Sequence, residues 1–272
     1  MSSAARTAFG VMSSTNWAGY VISSNGITAI SASWTVPAVQ CTITGPTNVV
    51  TQGLAVWIGL DGVSNNAVPE QIGTISDCWN GSPTYWSWEE DPSISSSSST
   101  NHALQAIPDT SSGDQITASI VYMGNSEYQL SLKDSTSDES RTFTVFIHNA
   151  PRGSAEWILE AFSDINTGKE MTLPIFRPVT FADCSASVNN VAGSITQNNG
   201  QPLNMVDGNG NIIATTQNLN QAGTSFQVTQ VGQPVPEVPS ALGLLPPVFL
   251  AVIYVLRRKR SLRDPEEKRG VD

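Results

Sequence analysis

The chain has 272 residues with 13 Lys or Arg, 23 Asp or Glu and a formal net charge of −10. Seven basic and four acidic residues lie from Arg257 onward, so residues 1–256 keep six basic against nineteen acidic side chains, a net −13. A body this acidic repels nucleic-acid backbones and has no basic stripe interleaved with aromatics, which argues against a nucleic-acid partner. Two histidines and three cysteines without a CxxC spacing argue against a zinc site.

Residues 1–15 are small and polar and read as a flexible N-terminus, with no apolar run long enough for a classical signal peptide. From Asn16 the pattern is one of strands and turns. ITAISASWTV (27–36), LAVWIGLDG (54–62), TYWSWEE (84–90), DQITASIVYM (114–123), EYQLSLKD (127–134), RTFTVFIH (141–148) and SAEWILEAF (154–162) are short and rich in β-branched and aromatic residues. Gly, Pro, Asn or Ser bounds each of them. SSSSST (95–100) reads as a surface loop, and the Asn/Gln/Gly/Thr-rich stretch 187–232 as the last strands of the same domain. Together they predict an all-β domain over 16–232, a sandwich of two packed antiparallel sheets.

Beyond it, QPVPEVPS (233–240) is an extended Pro-rich spacer. Residues 241–256 are an uncharged apolar run of sixteen, ended by RRKR. That predicts one transmembrane helix with a basic cytoplasmic tail (257–272) and the acidic body outside, at the cell surface.

Gln71, in AVPEQIGTISDCW, and Glu160, in GSAEWILEAF, each lie in a strand-like run among tryptophans and apolar residues. A carboxyl in such surroundings is costly to bury unless it is paired or working. With a raised pKa it can serve as a general base, while a carboxamide can donate to a developing oxyanion without adding charge. Strand parity puts Trp157, Leu159 and Ala161 on one face and Glu156, Ile158 and Glu160 on the other.

The segments NWAGY (16–20), ASWTVP (32–37), AVWIGLDG (55–62), EQIG (70–73), AEWILE (155–160) and TFADCS (180–185) occur in an order that resembles the glutamic peptidases, the eqolisin family. The resemblance implies a lectin-like sandwich with a substrate groove on one concave face, and an acid-active endopeptidase that needs no cofactor or metal. It places the catalytic pair on Gln71 and Glu160. Glu160 would take a proton from the attacking water and return it to the leaving amine, and Gln71 would hold the tetrahedral oxygen. Trp57, Asp61, Trp88 and Glu156 fall where the groove is lined or supported. Either Glu89 or Glu90 takes the place of a supporting glutamate. The sequence departs from the family pattern at Glu89, Glu90 and Asp91, at Ala161 and at Ile72, which bears on specificity and pH optimum.

Other readings stand beside this one. Gln71 and Glu160 can be structural strand residues, Glu156 a structural or solvated strand acid, Asp61–Gly62 a plain hairpin turn, and Trp57 and Trp88 core filling. DGVSNN (61–66) imitates a lectin calcium loop imperfectly. The alternative function is a non-catalytic carbohydrate- or peptide-binding surface sandwich. Export would suit one disulfide, Cys41 with Cys78, leaving Cys184 free; three buried reduced cysteines are the alternative. The tail VPEVP–helix–RRKR resembles the sorting signal of bacterial surface proteins, implying a membrane partner and a sorting transpeptidase beside the polypeptide substrates.

Overall fold

The computed structural model describes residues 11–63, 69–91, 103–104, 110–163 and 170–233. Two units separate along the chain, Met1–Val238 and Pro239–Asp272, and the second lies wholly outside the described residues. So do the proposed apolar span 241–256, the basic tail and the serine loop 95–100. Among the described residues there is no helix, and hence none long and apolar enough to cross a membrane.

The strands are β1 (Met12–Ser14), β2 (Trp17–Ser23), β3 (Ile27–Thr35), β4 (Val39–Gln40), β5 (Val50–Leu60), β6 (Glu70–Trp79), β7 (Ser82–Asp91), β8 (Ala103–Leu104) and β9 (Gln115–Gly124). They continue as β10 (Glu127–Asp134), β11 (Glu139–Phe146), β12 (Ser154–Ala161), β13 (Ile175–Phe176), β14 (Val179–Val188), β15 (Val191–Gly193), β16 (Gln201–Val206), β17 (Ile212–Thr216) and β18 (Phe226–Gln230).

Two packed sheets were the sequence expectation; hydrogen bonding instead joins the layers into one curled sheet. Its order is β11-β10-β9-β3-β14-β18-β17-β16-β2-β12-β5-β6-β7-β8, with β1 added to β16 and β15 to β14. The join is β14. Its first residues, Val179–Phe181, pair with β18, whereas Ala182–Val188 pair with β3. Between Ala182 and Ser185 the register slips, and Asp183 there has φ +53°. A bulge of this kind bends a strand and sharpens its twist, so one strand serves both layers. The pairings are antiparallel except β1 with β16, which is parallel.

The core lies between the layers. From β12 it receives Ala155, Trp157, Leu159 and Ala161, from β5 Leu54, Val56, Ile58 and Leu60, and from β3 Ile30, Ala32 and Trp34. The alternation read from SAEWILEA is therefore the alternation of the fold. The two large indoles find acceptors inside: Trp157 Nε1 donates to the Ser31 carbonyl at 2.9 Å and Trp34 Nε1 to Thr74 Oγ1 at 3.0 Å. Burial of each such side chain is worth about 2–3 kcal/mol, and the hydrogen bonds remove the penalty of hiding an N–H. Cys41 and Cys78 form a disulfide across 37 residues, tying the loop before β5 to β6, while Cys184 is free and buried.

Candidate active site

The face of β16, β2, β12, β5, β6 and β7 turned away from the core carries a second, smaller cluster: Val21, Ala55, Trp57, Ile75, Trp88, Ile158 and Leu203. Strand register orders its residues in rows. One row runs Val21–Glu156–Gly59–Gln71–Glu90 and the next Gly19–Ile158–Trp57–Gly73–Trp88. The third runs Trp17–Glu160–Ala55–Ile75–Trp86.

Glu160 is the one position of β12 that is not buried. Its carboxyl is held from two sides: Asn16 Nδ2 donates to Oε1 at 3.0 Å and Trp57 Nε1 to Oε2 at 2.9 Å. The Trp17 indole stands edge-on to Trp57, ring centroids 5.1 Å apart. Its N–H lies near the carboxyl without completing a hydrogen bond. Burial pushes the Glu160 pKa up, and the nearby N–H groups of Trp17, Trp57 and Asn16 pull it back, leaving it at about 6.

Gln71 shares this face but does not stand opposite Glu160. It pairs through Gly59 with Glu156, and the two candidate residues lie on a diagonal, two strands and four residues apart. On a flat sheet that is about 16 Å between Cα atoms. Trp57 occupies the middle of the diagonal. One end of its indole binds Glu160, and the other lies beside Gly59, where an added Cβ would meet both Trp57 Cζ3 at 2.7 Å and Gln71 Cγ at 3.2 Å.

The sheet is not flat. Glu90, directly opposite Gln71, lies three strands and four residues from Glu160, about 20 Å on a plane. Yet the Glu160 charge reaches it: burial first, then Glu160 and then Glu89 raise the Glu90 pKa to about 7. The Glu160 charge is thus felt across β5 and β6 at Glu90, on the row of Gln71.

Register puts the two neighbouring glutamates on opposite faces. Glu90 shares the face of Gln71, whereas Glu89 pairs with Ile72 and belongs to the core side. Trp88 and Trp57 are both buried, so neither offers an exposed contact surface on this face.

Asp61 is not merely a turn residue. Its φ is +64°, its own N–H donates to the Ser154 carbonyl, and its oxygens accept the backbone N–H of Arg152 at 2.9 Å and of Gly153 at 2.6 Å. Both oxygens are thus engaged in bracing the loop before β12. Of the calcium-like DGVSNN, residues 64–66 lie outside the described residues. Among the described residues, no group of three or more His, Cys, Asp or Glu could hold a metal ion. Glu156 is fully buried on the Gln71 row.

Three residues important here escaped sequence reasoning. Asn16 reaches Glu160 from 144 positions away in the chain. Glu70 is buried one residue before Gln71. Asp77, on β6 opposite Thr84, accepts the Thr84 hydroxyl and the Trp86 indole N–H, the latter at 3.2 Å. A cavity of about 580 Å³ opens between Leu173, Val206 and Val231, with Thr15 and Glu170 on its wall, and none of the predicted site residues lines it.

The profile of the peptidase A4 family matches residues 15–230. Comparison with curated proteins found no match. Among solved structures, the chain is similar to scytalido-glutamic peptidase bound to a peptide-based transition-state analogue. There the TM-score is 0.64 and the identity 21%, over 80% of this chain and 98% of the other. It is similar to SCP-B, a member of the eqolisin family in complex with the tripeptide Ala-Ile-His, with TM-score 0.62, 20% identity and 80% and 98% coverage. It is also similar to aspergilloglutamic peptidase from Aspergillus niger, with TM-score 0.52, 22% identity and 66% and 99% coverage. At these identities the likeness speaks for the fold.

Proposed function

The chain belongs to the peptidase A4 family and is a peptide hydrolase, and we propose that it cuts polypeptides with Glu160 as general base and acid and Gln71 as oxyanion donor. The observation that carries this is Glu160 itself. It is the least covered residue of a buried strand, fixed by two N–H donors, on the face it shares with Gln71.

In this reading a substrate lies across the Trp57–Trp88 row. Ionised Glu160 draws a proton from a water; the water oxygen adds to the scissile carbonyl; the Gln71 NH2 donates to the oxygen that becomes negative. The C–N bond then breaks as Glu160 passes its proton to the departing nitrogen, which regenerates the carboxylate. Because Glu160 titrates near 6, its basic form grows in weak acid, so we place the activity there rather than in strong acid. Glu90 still holds its proton in that range, and its hydroxyl, opposite Gln71, serves to orient the carboxamide. The action of the Glu160 charge on Glu90 supports an approach of the two rows around a peptide.

The Cys41–Cys78 disulfide fits work outside the cell, in an oxidising compartment. The test is incubation of denatured casein with the folded chain, with new N-termini read by mass spectrometry. Discrete new termini support a peptidase; intact casein with a folded chain supports the binding-module reading.

A further inference from the structure

Three carboxyls gather where β5, β6 and β12 end together. Glu70 opens β6 and pairs with Leu60, the last residue of β5; Asp61 follows Leu60; Glu156 pairs with Gly59. Glu70 and Glu156 are both fully buried, one toward the core and one toward the Gln71 row. Neither carboxyl completes a hydrogen bond through either oxygen. Ser154 and the Gly62 and Val63 amides stand near Glu156 and offset its burial only in part. An added Cβ on Gly62 would lie 3.3 Å from the Glu156 carboxyl carbon, so the loop leaving β5 is packed directly on this acid.

The titratable and charged groups around the cluster come from every neighbouring element. From β10 the Tyr128 hydroxyl faces Glu70. From β9 Tyr122 packs on Tyr128 at 5.0 Å, and the Arg152 guanidinium sits over the Tyr122 ring at 4.6 Å instead of pairing with an acid. Asp61 spends its oxygens on backbone N–H groups. Among the described residues the ion pairs are Lys133–Asp138 and Arg141–Glu139, neither at the cluster.

We propose that Asp61, Glu70 and Glu156 form a proton-dependent latch: the strand ends that carry Gln71 stay joined only while Glu70 and Glu156 keep their protons. Charging either acid places a second negative group beside Asp61 where, among the described residues, no cation pairs with it. The directions agree. Burial first, then Asp61, raises Glu70 to about 9; burial raises Glu156 to about 8, with Asp61 adding to it. Both folded values exceed that of an unfolded glutamate, so the stabilisation is complete in acid below the unfolded value. It is lost as pH climbs through the folded ones. The latch acts on folding and stands independently of the cleavage chemistry.

Unfolding of the full chain, followed by tryptophan fluorescence in urea from acid to pH 9 with proton release read at pH 7, tests it. Wild-type unfolding should release protons at pH 7, and stability should fall steadily with rising pH. Glu70→Gln, which mimics the protonated acid, should release about one proton fewer and move the alkaline midpoint up by about one pH unit. Glu156→Gln should act in the same direction. A wild-type chain that releases no protons on unfolding at pH 7 overturns the latch even if the variants do not fold. So does a folded Glu70→Gln chain with wild-type release and midpoint.

Discussion

Trp57 donates its indole N–H to Oε2 of Glu160 at 2.9 Å, while the far edge of the same ring lies beside Gly59, the partner of Gln71 in the next strand. One buried tryptophan thus fixes the carboxyl and reaches Gly59, the residue paired with Gln71. Replacing it with Phe keeps the ring but removes a donor to a charged group, a bond worth about 1.5–3 kcal/mol. The Glu160 pKa, held near 6 partly by that N–H, should rise by about one unit or more. A pH–rate profile of Trp57→Phe should show its acid limb displaced toward neutral pH; an unmoved limb would mean the indole does not tune Glu160.

A carboxamide such as Gln71 can donate a hydrogen bond but carries no proton to transfer near neutral pH, so the proposal gives it the oxyanion alone. Gln71→Ala should therefore lower kcat by about a hundred- to a thousandfold with little change in KM. The pH limb set by Glu160 should stay where it is. Steady-state kinetics on a chromogenic peptide separates these effects, and a change confined to KM would make Gln71 a binding residue.

Gly73 sits between Trp57 and Trp88 on the site face. A Cβ there would lie 2.6 Å from Trp57 Cβ and collide with the Val56 carbonyl oxygen, rigid backbone on the pairing strand. Gly73→Ala should cost about 2–3 kcal/mol in urea unfolding and also weaken catalysis, because β5 and β6 must part beside Gln71.

The Cys41–Cys78 bridge closes a loop of 37 residues, for which chain entropy gives about 4 kcal/mol. The double replacement Cys41→Ala/Cys78→Ala should lower the unfolding free energy by up to about that amount. Oxidised and reduced wild type, compared in urea, should show the same gap. Free Cys184, buried and with its thiol pKa raised by burial, should resist alkylation until the chain unfolds.

Much of the site was legible in the sequence because alternation in a strand is a direct record of facing. SAEWILEA announced that Glu156 and Glu160 share the face opposite Trp157, and they do. The same rule applied from Ile72 would have put Glu70 on the core side, a buried acid visible in the sequence and passed over. Glu89 against Glu90 could not be decided, because the choice depends on the pairing of β7 with β6 rather than on β7 alone. Asn16 was visible only as part of NWAGY; its reach to Glu160 needs the pairing of β2 with β12. The single curled sheet was hidden for a similar reason: a bulge at Asp183, within a run that otherwise reads as an ordinary strand, lets β14 serve both layers.

The most direct test of the account is cleavage of denatured casein from about pH 4 to 8 by the full wild-type chain beside Glu160→Gln, with circular dichroism confirming that both are folded. The account predicts wild-type cleavage that rises as pH passes about 6, and a loss of at least about a hundredfold in the variant at every pH. Equal cleavage by the two folded chains would contradict it and place the chemistry on another residue.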